Sequence, residues 1–139
     1  LPVGRLPHIE FPIRSFYESI LLRYDESMRN AQLDFLLGRL AEETLPYIVA
    51  GDFNMSDQTL AYTRVAAAMH DSLREIGAGY SATWPLAMVR GDVWAWVPPL
   101  VRIDYIWHSD GWVAQAAARG PLLGSDHLPM TGTLVRVTP

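Results

Sequence analysis

Apolar positions change their spacing several times along the chain, and each change predicts a different element. From about Ser15 to Thr44, the residues Phe16, Ile20, Leu21, Tyr24, Met28, Ala31, Phe35, Leu36 and Leu40 recur three or four apart with charges between them. That is the helical period. Asp25 suits the cap of a second start, so the stretch predicts one short helix followed by a long one. Pro46 ends it. Tyr47-Ile48-Val49-Ala50 is then a continuous apolar run, the pattern of a strand buried on both faces.

Beyond Gly51-Asp52-Phe53-Asn54 the helical period returns from Thr59 to Met69, with Ser56 or Asp57 as the expected cap, and a further turn from His70 to Ile76 stops at Gly77 and Gly79. Residues 80–101 hold Trp84, Trp94, Trp96, Pro85, Pro98 and Pro99 and read as a long loop with one strand at Val93 to Val97. Strands are expected at Arg102 to Trp107, Val113 to Arg119 and Met130 to Val137. Residues 1–14, with Pro2, Pro7 and Pro12, predict an irregular or edge segment. Helices cluster early and strands late, so the chain is expected to be of the α/β (α+β) class around a mixed sheet.

Composition narrows the chemistry. The 139 residues include 11 basic ones, all arginine, with 15 acidic residues, 4 histidines and no cysteine. The missing cysteine excludes a thiolate nucleophile, a disulfide framework and a Cys-based zinc site. The missing lysine excludes a P-loop lysine and a Schiff base. Carboxylates, histidine, hydroxyls, amides, arginine and hard metal ions remain. A chain of this length can bury roughly 68–70% of its unfolded surface, enough for a core. Its net charge of −4 argues against a generic nucleic-acid coat protein. No apolar run approaches the length of a membrane helix, and no signal peptide is visible. The first residue is Leu1, not Met, as expected of a processed product or of a piece of a longer protein.

Three segments carry candidate chemistry. Asp52 and Asn54 follow directly on a predicted strand, the usual ligand crevice of an α/β sheet, and alternation puts both on one face if the backbone stays extended. The local alternative is an Asx turn. Asp104 stands inside a strand rich in β-branched and aromatic residues, where a carboxylate needs a partner. Arg102, two residues away, offers a local pair on a solvated face. His127, in Gly124-Ser125-Asp126-His127, needs a carboxylate to orient it if it transfers protons. Its neighbour Asp126 points the opposite way in an extended segment, so Asp104 is the better partner. The alternative is a surface histidine. One His, three Asp and one Asn form a set suited to phosphoryl chemistry.

Other signals carry less. Gly77-Ala78-Gly79-Tyr80-Ser81-Ala82 matches a dinucleotide pattern but follows a helix, Arg90-Gly91-Asp92 reads as a surface turn, and the Trp94/Trp96 alternation reads as a packed strand face.

Gly51-Asp52-Phe53-Asn54, Arg102-Ile103-Asp104-Tyr105-Ile106 and Ser125-Asp126-His127 resemble, in order and wording, the three C-terminal motifs of the endonuclease/exonuclease/phosphatase superfamily. DNase I-like nucleases, abasic-site endonucleases, neutral sphingomyelinases and inositol-polyphosphate phosphatases belong to it. Asp71-Ser72-Leu73, Thr83-Trp84-Pro85 and the helix with Arg29 and Gln32 resemble the links between those motifs, so the resemblance runs from about Arg23 to Val137. It implies a four-layer αββα sandwich with a mainly antiparallel sheet, and Mg²⁺- or Mn²⁺-dependent hydrolysis of a phosphoester substrate: nucleic acid, phospholipid or small ester. Residue by residue, it implies that Asp52 positions or deprotonates water and that Asn54 contacts the phosphate. Asp104 would orient His127 as acid/base, and Asp126 would lie on the metal or phosphate side.

The family's first half, with an Asn and the Glu that is the main metal ligand, has no counterpart here. Pro7-His8-Ile9-Glu10 does not resemble its context. The expectation is therefore the C-terminal portion of a domain about twice as long: residues 1–22 as lead-in, residues 23–139 bearing the motifs, and no activity alone. The alternative is a non-catalytic binding module on the same fold. A half-fold should also expose an apolar sheet face and hide it by self-association or strand exchange. Location stays open, including an extracytoplasmic or membrane-anchored bacterial protein.

Overall fold

The computed structural model describes residues 26–77, 79, 81–84, 88–90, 93–95 and 98–137. His8, Glu10, Gly91, Asp92 and Trp96 lie outside them, as does the side chain of Trp94. The described elements are α1 (Glu26–Ala41), β1 (Ile48–Asp52), α2 (Leu60–Ala66), β2 (His70–Asp71), α3 (Ser72–Glu75), β3 (Met88–Arg90), β4 (Val93–Ala95), β5 (Asp104–His108), β6 (Trp112–Arg119) and β7 (Met130–Arg136).

The long helix has the expected period but a different inner face. Arg29 and Leu33 are buried and Leu36, Leu37 and Leu40 pack on the core, whereas Met28 and Phe35 are exposed. The run of leucines at 33, 36, 37 and 40 forms a tighter apolar stripe than the positions read from the sequence. The helix stops at Ala41, and the Glu43 carboxylate accepts the N–H groups of Thr44 and Leu45 before Pro46 is reached. Thr59 caps α2, in place of Ser56 or Asp57, by accepting from Tyr62 N at 3.2 Å. The turn expected at 70–76 divides into β2 and α3, with Asp71 as the cap of α3. A strand is present at Val93–Ala95, within the stretch expected at 93–97, and it pairs antiparallel with a second one at Met88–Arg90 that the sequence did not suggest; residues 96 and 97 lie outside the described ones.

Every pairing among the described strands is antiparallel. β5 lies between β1 and β2, and β6 pairs with β7 through a bulge at Gln115. β1 is not buried on both faces as its apolar run suggests. It is an edge strand, with Ile48 43% exposed, because only β5 flanks it among the described residues. Alternation along β5 separates two functions. Tyr105 and Trp107 point to the helices and meet Phe53, Tyr62, Val65 and Leu33 in the core. The other face carries Asp104, Ile106 and His108, and Ile106 lies against Gly132 of β7. α1 and α2, the first sheet and the second sheet thus stack as layers, an α/β arrangement of antiparallel sheets, with Glu75 of α3 reaching His108 of β5 and Ala114 of β6. Leu122, Leu123, Val113 and Val135 stay exposed. No helix among the described residues is long and apolar enough to cross a membrane.

Candidate active site

The site forms where β1 ends and β5 begins. Asp52 and Asp104 are directly opposed across the two strands. Phe53 N–H donates to the Ile103 carbonyl at 2.9 Å, so the 53/103 rung is hydrogen-bonded and the 52/104 pair is of the kind whose side chains approach closest. Gly51, with φ of +154°, turns the end of β1 in a conformation that L side chains rarely adopt.

Asn54 is not extended. It is left-handed at φ +47°, and its N–H donates to Asp52 Oδ1 at 2.8 Å, so the Asx turn read as the alternative is present and coexists with the cluster. The carbonyls on either side of the bend are held from elsewhere. Arg29 Nη1 donates to Asn54 O at 3.1 Å and the Tyr105 hydroxyl donates to Met55 O at 3.0 Å. A cleft of about 230 Å³ lined by Arg29, Gln32, Asp52 and Asn54 runs along this bend.

Asp104 does not pair with Arg102. Its Oδ2 lies 2.9 Å from His127 Nδ1. A carboxylate only accepts, so this contact suits the Nδ1–H tautomer of the imidazole. His127 N donates to Ser125 Oγ at 3.1 Å, and the Trp84 ring stands 6.3 Å from the imidazole. Arg102 forms instead a bidentate pair with Asp71, at 3.0 and 2.6 Å, and stacks over the Tyr105 ring at 4.4 Å. Burial by itself would lower the Arg102 guanidinium, but the Asp71 carboxylate outweighs it and holds the group above its ordinary value. Tyr62, buried and donating to Asp71 at 2.8 Å, is pushed up to about 12.

Burial also raises the Asp52 carboxyl. Its opposed neighbour Asp104 adds to this, while the Asn54 N–H and His127 act against it. The net direction is upward from the ordinary carboxylate value, although Asp52 remains exposed. Asp126 is exposed, and its recorded contact is with Ser125 Oγ at 3.4 Å. The carboxylate and amide oxygens of Asp52, Asn54 and Asp126 are donors a hard cation prefers. However, no group of three metal-ligating side chains is close enough to hold an ion among the described residues. These residues therefore do not make a complete metal centre.

Sequence reasoning brought Asp52, Asp104 and His127 together but missed the roles of Arg29, Tyr105 and Thr83. The signals for Arg29 were its place in a helix that resembles a link of the family and a charge on an otherwise leucine-lined face. Thr83 and Tyr105 stand in segments that resemble the family, but no contact of either side chain could be read from them.

Comparison with known proteins places the chain. A conserved protein of unknown function from Enterococcus faecalis V583 is 22% identical over 78% of this chain and 44% of that one, with a TM-score of 0.62. The endonuclease/exonuclease/phosphatase from Bacteroides vulgatus is 21% identical over 81% and 45%, at 0.62. A mannosyl-6-phosphatase of Bacteroides thetaiotaomicron VPI-5482 is 18% identical over 77% and 44%, at 0.53. These likenesses are of fold, and the chain spans less than half the length of each structure. No curated protein matches. The model of the Endonuclease/Exonuclease/phosphatase family matches residues 7–127, most of the chain and all three motifs through His127, so the chain belongs to that family.

Proposed function

We propose that the complete protein hydrolyses phosphoester bonds and that this chain supplies the C-terminal portion of its catalytic domain. The observation that carries the reading is the His127–Asp104 hydrogen bond set beside Asp52. In this reading Asp104 fixes the ring so that Nε2 exchanges the proton, Asp52 handles the attacking water, and the Asn54 amide donates to the phosphate. Phosphatases and nucleases both fall within the family, and either Asp52 or His127 can take the first proton.

A divalent ion, Mg²⁺ or Mn²⁺, would stabilise charge on the phosphoryl oxygens when bound. Asp126 is the proposed contributor from this chain, and the principal ligands would lie outside the described residues. This segment alone is therefore expected to be inactive. The exposed valines and leucines of the second sheet and its loop support self-association of the isolated segment, and light scattering showing only monomer would refute that.

The test is hydrolysis by the complete protein of a phosphodiester, a phosphomonoester and a hexose 6-phosphate, with Mg²⁺ and with a chelator. Chelator-sensitive turnover of at least one supports the enzyme. No turnover of any, with the protein folded, favours a non-catalytic binding module on the same fold. The dispersed donor set among the described residues is the observation that keeps that second reading alive.

A further inference from the structure

We infer that Thr83 is the positioning residue that sets the spacing of the Asp104–His127 pair. The two partners arrive from different places. Asp104 opens β5, whereas His127 sits in the connection between β6 and β7. A short hydrogen bond between such segments requires something that fixes one against the other, and Thr83 bonds to both.

Its side-chain Oγ1 accepts from Ile103 N at 3.2 Å and from Asp104 N at 3.4 Å. Its carbonyl accepts from Leu128 N, the residue after His127, at 2.8 Å. Its own N–H donates to Val101 O at 2.9 Å, and Trp84 continues the link as a bridge to Val101. The lead-in to β5 and the histidine segment are therefore both tied to one residue. Thr83 is fully buried, so water does not compete for these bonds, and its β-branched side chain has restricted rotation. The following residue places its ring beside the imidazole. These hydrogen bonds go to the backbone on either side of the pair, so Thr83 acts through position.

The kinetic part of this inference rests on the hydrolase reading; the spectroscopic part does not. In the complete protein, Thr83→Val keeps the shape and removes the acceptor, whereas Thr83→Ser keeps the acceptor. Nitrogen-15 NMR of His127 reports which ring nitrogen carries the proton. Wild type and Thr83→Ser should show the Nδ1–H form, and Thr83→Val should shift toward the Nε2–H form. With a hydrolysed substrate in hand, Thr83→Val should lower kcat about 10–100-fold with KM within about twofold, and Thr83→Ser should recover most of it.

An unchanged tautomer in folded Thr83→Val overturns the inference, as does loss of the Nδ1–H form in folded Thr83→Ser. Should Thr83→Val not fold, the serine variant still decides. Should wild type hydrolyse nothing, the hydrolase reading fails while the tautomer shift still tests Thr83.

Discussion

Two pairs, Arg102–Asp71 and Asp104–His127, draw on residues two apart in β5 and its lead-in and have opposite surroundings. Arg102 and Asp71 are 6% and 4% exposed in their side chains, bonded twice, and enclosed by Tyr62 and Tyr105. His127 and Asp104 are 27% and 17% exposed, bonded once, and beside a second carboxylate. The first pair has its charges answered inside the protein. The second leaves Nε2 without a partner among the described residues and Asp52 biased toward protonation. In the proposed reading, saturation marks the structural pair and incompleteness the chemical one, although the sequence offered Arg102 and His127 alike as partners for Asp104.

The contrast can be broken from either side. Arg102→Met leaves Asp71 charged, buried and unpaired, and should cost about 3–5 kcal/mol of stability in urea unfolding. His127→Ala should lower kcat of the complete protein about 10²–10⁴-fold. Its unfolding free energy should change by no more than about 1 kcal/mol, since the pair it breaks is partly exposed. Asn54→Gly tolerates the left-handed backbone but removes the amide, and a loss of about 10²–10³-fold in kcat with little change in stability would place that amide on the phosphate.

The smallest effect has a sign set by pH. The folded chain raises the Asp52 carboxyl above its ordinary value of 3.8, so the ionised form costs stability above the raised value and the cost vanishes below the ordinary one. Asp52→Asn keeps the acceptor for Asn54 N–H. It should raise the melting temperature near neutral pH and leave it unchanged at about pH 3. A fall in melting temperature at neutral pH would show that Asp52 belongs with the structural pair.

Much of the site was legible because its residues sit at ends of elements that local pattern identifies. Asp52 closes an apolar run, Asp104 stands unpaired in a β-rich segment, and His127 needed a partner that Asp126 could not be. What was not legible depends on distant contacts. Arg102 finds Asp71 31 residues away, a choice that spacing cannot reveal. Thr83 works mainly through one hydroxyl and one carbonyl, which look the same in any buried threonine. Likewise, the helical period of α1 was plain but its inner face was not, because Arg29 is drawn inward by the Asn54 carbonyl. β1 looked fully buried because an apolar run does not record which neighbours its strand has.

The most direct test of the central claim is the kcat of Asp104→Asn in the complete protein, read beside its unfolding free energy. The amide cannot hold the imidazole as the carboxylate does. A loss of about 100-fold or more in phosphoester hydrolysis is predicted, with stability within about 1 kcal/mol of wild type. Wild-type turnover by folded Asp104→Asn would show that the Asp104–His127 pair is structural and that the chemistry lies elsewhere.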